Sequence, residues 1–145
     1  MSEGAATLRP FRREDYAAAR ALWLATEGVS LGPGDAEAEV RAFLERNAGL
    51  SLVAHEGDVL VAAVLCGHDG RRGFIYHLAV APSHRRRGLG RALVARCLDA
   101  LAAAGIRRGQ ASVFATNALA RSFWASVGGD LRSDLVVFTI PSRGA

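Results

Sequence analysis

The sequence predicts an α+β domain: a twisted, mostly antiparallel sheet with one βαβ unit and helices on both faces. Three observations carry that expectation. Apolar runs at 50–55, 59–66 and 74–80 are separated by turn residues and read as a three-strand meander. The last run is followed by a helical pattern over 87–104 and another apolar run at 110–114, which makes a strand–helix–strand crossover. Two more helical patterns precede the meander.

Taken in order, 7–12 reads as a first strand. Residues 14–26 carry Tyr16, Ala19, Leu22, Trp23 and Leu24 with helical recurrence. The stretch 28–34 (Gly-Val-Ser-Leu-Gly-Pro-Gly) is a breaker-rich loop. Asp35 is placed to cap the next helix, whose buried stripe is Val40, Phe43 and Leu44. The meander has turns at 56–58 and 67–73. The long helix at 87–104 puts Leu89, Leu93, Val94, Cys97, Leu98 and Leu101 on its apolar side, and Gly105 ends it. A strand at 110–114, a short helix at 117–127 stopped by Gly128-Gly129, and a last strand at 135–140 complete the order β-α-α-β-β-β-α-β-α-β.

Composition bounds the function. A chain of 145 residues, half of them apolar, suits one domain over 1–145 with a real core. No apolar run approaches the ~18 residues of a membrane span, and the N-terminus lacks a signal-peptide layout, so a cytoplasmic protein without a membrane partner is expected. Cys66 and Cys97 sit in apolar surroundings and read as packed, reduced thiols. No Cys/His cluster has zinc spacing, so no metal is expected. The net charge is +4, and all 18 basic residues are arginine, which suits a polyanionic partner.

The stretch 78–94 is the most informative. An apolar run stops at Pro82, a cationic turn with Gly88 and Gly90 follows, and a helix begins. Arg85-Arg86-Arg87-Gly88-Leu89-Gly90 fits the pattern Arg/Gln-x-x-Gly-x-Gly/Ala. Backbone N–H groups at a helix start, with arginines beside them, make a socket for a diphosphate. A Cβ at either glycine would hold such a ligand away. The Gly-x-x-x-x-Gly-Lys-Ser/Thr loop is absent, and Leu93 replaces the third glycine of Gly-x-Gly-x-x-Gly. Binding of nucleic acid by the arginine run is disfavoured, because no aromatic residues interleave it.

Leu78-Ala79-Val80-Ala81-Pro82, the turn at 85–90, and Asn117-x-x-Ala120-x-x-Phe123 ahead of Gly128 together resemble the GNAT superfamily of N-acetyltransferases. The element order resembles that fold along nearly the whole chain. The resemblance implies acetyl-coenzyme A as donor, with no metal. It implies that main-chain groups of Leu78, Ala79 and Val80 pair with the pantetheine as an added strand would. It implies that Arg85, Arg86, Arg87, Gly88, Leu89 and Gly90 hold the pyrophosphate, with Arg91 assisting. It also implies coenzyme contacts for Asn117, Ala120 and Phe123; Asn117 is equally a helix cap, and Phe123 equally core. It allows a homodimer, which no residue fixes.

The implied reaction is direct attack of a neutral amine on the thioester. By resemblance, the Val80 N–H is the oxyanion donor. The family often places a tyrosine acid one position after Phe123; here Trp124 stands there, and an indole is far too weak an acid. No carboxylate lies between 74 and 80 to serve as base. Strand alternation puts Phe74, Tyr76, Leu78 and Val80 on one face and Ile75, His77 and Ala79 on the other. Tyr76 is then the polar group on the presumed cleft face. His77 is the better base near neutral pH but points away, unless a bulge re-aims it. A water-mediated base is the other route. Trp23, Glu27 and Ser30 are candidate acceptor contacts. Three functions compete: an N-acetyltransferase for a small-molecule or peptide amine, a non-catalytic acyl-coenzyme A sensor, and an arginine-rich nucleic-acid module. The nucleic-acid module carries the least weight.

Overall fold

A computed structural model describes residues 5–144; residues 1–4 and 145 of the expected domain lie outside the described residues. Strand β1 (Thr7–Pro10) leads through a one-turn 3-10 helix (Arg13–Asp15) into helix α1 (Tyr16–Ala25). Helix α2 (Glu37–Arg46), strands β2 (Leu52–Glu56), β3 (Val59–His68) and β4 (Gly73–Val80), and a second 3-10 turn (Pro82–His84) follow. Helix α3 (Leu89–Ala103), strand β5 (Gly109–Gln110) and helix α4 (Ala118–Ser126) complete the set.

The sheet has the order β1-β2-β3-β4-β5. The first three pairings are antiparallel, and β4 and β5 are parallel across the α3 crossover. This is the mixed α/β architecture expected. Two apolar clusters fill its two faces. On one, α1 and α2 bring Ala19, Trp23 and Val40 onto Phe11, Val53, Ala63, Leu65 and Ala79. On the other, α3 brings Leu93, Val94, Cys97 and Leu101 onto Ala62, Val64, Cys66 and Ile75. Both cysteines are buried and unbridged. Contact with the Cys66 thiol, and then burial, push the Cys97 thiol up, so it stays protonated.

Two expected strands differ. The run 110–114 pairs only through Gln110, because β5 leaves β4 after the Phe74–Gln110 step. The run 135–140 forms no strand: Val136, Val137, Phe138 and Ile140 are more than four-fifths exposed. A strand needs a partner's N–H and C=O groups, and the free edge at 111–114 and the run at 135–140 do not pair. The first strand also stops early, at Pro10, where the chain turns so that Asp15 accepts from the Arg12 N–H at 2.8 Å.

Candidate active site

The short partnership of β4 and β5 creates the first half of the site. β4 has eight residues and β5 two, so beyond Phe74 the β5-side edge of β4 has no strand partner along Leu78, Ala79 and Val80. At the end of that edge comes the arginine-glycine turn. Arg86 and Gly88 adopt left-handed backbone, at φ 63° and 76°. The turn leaves the main-chain N–H groups of Arg86, Gly88, Leu89 and Gly90 with no protein acceptor among the described residues. They form, with the positive end of the 15-residue helix α3, a receptor for an anion.

The two glycines serve different ends. A Cβ on Gly88 would meet no protein atom within 4 Å, so what the fold itself asks of this position is the left-handed φ. A Cβ on Gly90 would lie 3.4 Å from the Phe123 ring, so that glycine lets α4 pack against the start of α3. A cavity of about 350 Å³ opens here, lined by Val80, Arg86, Gly88, Gly90, Arg91 and Phe123 among others. Arg85 folds back to donate from Nε to the Val80 carbonyl at 3.0 Å. Arg91 reaches across to the Ser126 carbonyl at 3.2 Å and braces α4. Asn117 is the cap of α4, accepting from the Ala120 N–H at 3.0 Å. Its side chain also abuts Gly28, where a Cβ would collide with Nδ2. Trp124 packs edge-on against Phe123, with centroids 5.3 Å apart.

The second half of the site depends on a fault in β4. The register of β3 against β4 slips between Ala63–Ala79 and Leu65–Tyr76, and His77 takes a left-handed φ of 53°. Simple alternation therefore fails, and the expected facing of this strand is corrected. Tyr76 and His77 both turn to the α1/α2 face, where Ala79 follows; Ile75, Leu78 and Val80 belong to the α3 face. A histidine at positive φ is uncommon and strained, and several contacts hold it. Trp23 donates its indole N–H to the His77 carbonyl at 2.8 Å and lies 5.1 Å from the imidazole, centroid to centroid. The imidazole Nε2–H donates to Asp35 Oδ1 at 2.8 Å. The other oxygen, Asp35 Oδ2, accepts from the Gly32 N–H at 2.8 Å, and the Tyr16 hydroxyl donates to the Asp35 carbonyl at 2.6 Å.

That geometry fixes the tautomer. A carboxylate only accepts, so Nε2 carries a proton, and in the neutral ring the lone pair is on Nδ1. Nδ1 has no protein partner and is not a buried atom, so it meets solvent. The preceding residue, Tyr76, is 40% exposed, stacked on Phe74 and edge-on to Phe43. Burial first, and the Asp69 charge second, push its phenol up, so it stays a neutral donor.

The chain matches the model of the acetyltransferase (GNAT) family over residues 11–128. The chain belongs to that family. An acetyltransferase of Photorhabdus laumondii is 36% identical over 99 residues, covering 68% of each chain. Among solved structures, Ard1 from Thermoplasma volcanium superposes with a TM-score of 0.73 at 18% identity, covering 86% of this chain and 82% of its own. A putative acetyltransferase from Salmonella typhimurium, solved with its cofactor acetyl-CoA, gives 0.68 at 24% identity, covering 86% and 79%. These two likenesses are of fold. The chain is therefore an N-acetyltransferase with acetyl-coenzyme A as donor.

The residues present fit that donor. The four free amides and the arginines suit a pyrophosphate, and the edge of β4 that lacks a strand partner suits an amide-bearing arm. Glu27 and Ser30 lie exposed in the α1–α2 loop, whereas Trp23 is fully buried and bears on the site through His77. Among the described residues no three His, Cys, Asp or Glu side chains gather as metal ligands, and no helix is long and apolar enough to cross a membrane.

Sequence reasoning missed Asp35 as a site residue. The cap position of α2 is Ala36, and the Asp35 carboxylate makes no cap hydrogen bond; it turns to His77 instead. No local signal reveals a pairing across 42 residues.

Proposed function

We propose that this acetyltransferase moves the acetyl group to a primary amine of a small molecule or peptide, with His77 Nδ1 accepting the ammonium proton. The observation that carries this reading is the bulge: it points an imidazole at the α1/α2 face, anchors Nε2–H on Asp35 and leaves Nδ1 accessible. An amine arrives as an ammonium at neutral pH and must lose a proton before it attacks a thioester, and an imidazole with a free lone pair is suited to take it. Asp35 acts on the ring as a positioning residue, holding the tautomer and stabilising the imidazolium that forms.

In this reading the chain's groups divide the work. The amides at 86–90 and the flanking arginines hold the donor's pyrophosphate. Leu78, Ala79 and Val80 offer main-chain groups to the pantetheine, and the Val80 N–H polarises the thioester carbonyl. Ala120 and Phe123 wall the arm, with Asn117 capping that helix and touching the α1–α2 loop. Tyr76, Glu27 and Ser30 line the acceptor's approach. When bound, the donor supplies the activated acetyl group.

The test is release of free coenzyme A thiol across a panel of primary amines, with the product identified by mass. One or more polyamines, amino acids, aminoglycosides or peptide N-termini should be acetylated on nitrogen, at a rate that falls in His77→Asn. If no amine is acetylated, or if His77→Asn is as fast as the parent on the best acceptor, the reading fails.

A further inference from the structure

The same tripeptide occurs at the starts of β4 and β5: Arg71-Arg72-Gly73 and Arg107-Arg108-Gly109. The parallel pairing sets Gly73 opposite Gly109, and the Gly73 N–H donates to the Arg108 carbonyl at 2.9 Å. Gly73 is needed for this close approach. A Cβ on Gly73 would lie 2.6 Å from Leu101 Cδ1 and 3.0 Å from the Arg108 carbonyl oxygen. A Cβ on Gly109 would only touch the Ile75 and Leu101 side chains, at 3.4 Å. The fold thus brings two arginine pairs, 36 residues apart in the chain, to one end of the sheet.

These four arginines, with Arg132 and Gln110, line an open concavity of about 770 Å³. Two nearby carboxylates are already hydrogen-bonded. Asp69 Oδ1 accepts from the Arg71 and Arg72 main-chain N–H groups, both at 2.8 Å; these bonds first, and the Arg71 charge after them, hold its carboxyl below the usual range. Asp134 is gripped by Arg132 through two bonds of 2.9 Å. None of the guanidinium groups of Arg71, Arg72, Arg107 and Arg108 makes a hydrogen bond or ion pair with a described residue. Four like charges around one hollow repel one another, and a bound polyanion relieves that repulsion.

We propose that this concavity is a second anion site, which binds a compact ligand bearing two or more phosphate groups. It is separate from the coenzyme turn, because β4 runs between them: at ~3.3 Å per residue its eight residues span roughly 25 Å. Planar guanidinium forks match phosphate oxygens in pairs. The volume is that of a small-molecule site, and no Phe, Tyr or Trp lines it to stack a base, which favours a compact phosphorylated ligand over a nucleic-acid strand. The proposal stands independently of which amine is acetylated.

The probe is inorganic tripolyphosphate, titrated calorimetrically into protein already saturated with coenzyme A, so that the turn at 85–90 is filled. Saturable binding is expected. In the double variant Arg72→Gln/Arg108→Gln the affinity should fall by at least about tenfold, with coenzyme A affinity and melting temperature unchanged. A nucleoside triphosphate in a second titration should bind at least as well as tripolyphosphate if the natural ligand is a nucleotide, and more weakly if it is an inorganic chain. Absence of binding, or equal affinity in the double variant, overturns the proposal. So does tighter binding of duplex DNA than of either compact probe, lost in the same variant, which would make the surface a nucleic-acid contact.

Discussion

The two halves of the active site are built in opposite ways. The donor half is a contiguous turn at 85–90 whose working groups are main-chain amides. The half proposed to accept the proton joins two side chains, His77 and Asp35, that meet only because β4 bulges and the α1–α2 loop folds over it. A main-chain receptor tolerates most side chains but few changes of backbone. A side-chain dyad tolerates changes of neighbouring backbone but not of its own two residues. The halves should therefore fail differently, the first in binding and the second in turnover.

The largest effect is expected at the turn. Gly88→Asp forces a side chain onto a φ of 76° and sets a carboxylate where a pyrophosphate belongs. Coenzyme A affinity by calorimetry should fall by ~10²-fold or more, about 3 kcal/mol. Retained affinity would break the assignment of the donor half. Next comes His77→Asn, which keeps a residue tolerant of left-handed backbone. Its kcat should drop ~10²- to 10⁴-fold while coenzyme A affinity stays at the parent's value. Matched losses of both would erase the contrast between the halves.

Asp35→Asn sharpens the same comparison at smaller scale. Losing a charge-assisted hydrogen bond of about 1.5–3 kcal/mol should lower kcat by on the order of tenfold, with KM for the coenzyme little changed. Asp35→Glu should recover part of the rate, which a purely structural role would not show. Asn117→Ala removes the α4 cap and should lower stability in denaturant by about 1 kcal/mol. A loss of coenzyme affinity beyond that would place Asn117 in the donor half as a contact as well as a cap.

The smallest effect concerns the scaffold under the acceptor half. The Arg9 guanidinium, bonded to both oxygens of Asp15 at 2.7 and 2.8 Å, holds that carboxyl below its ordinary value of 3.8. Because the folded value is the lower one, the pair stabilises the fold above the unfolded carboxyl's pKa, and the contribution disappears as pH falls through the folded value. Asp15→Asn should cost about 1 kcal/mol near pH 7 and nothing measurable well below pH 3.8, in denaturant titrations at the two pH values.

The difference between the halves also explains what the sequence made legible. The turn, its glycines and the following helix are neighbours in the chain, so pattern alone places them. The order of strands and helices through Ser126 follows from periodicity that the core enforces, as Leu93, Val94, Cys97 and Leu101 show. The facing of His77 could not be read, because alternation assumes an unbroken ladder and one left-handed residue inverts it. Asp35 looked like a helix cap because Asp before a helix usually is one. Its true partner is chosen by tertiary folding. The run at 135–140 has strand-forming residues, yet propensity supplies no hydrogen-bonding neighbour, and its Val, Phe and Ile side chains stay exposed.

The slip at His77 also works as a phase shift for everything downstream on its strand. Deleting that one residue would remove the imidazole and leave the rest of the strand in place. Leu78 would then follow Tyr76 in a simple two-residue rhythm, with Leu78 and Val80 still on the α3 face and Ala79 still against α1 and α2. The packing of the sheet therefore does not call for the extra residue, and what the strained position adds to the molecule is the side chain it carries.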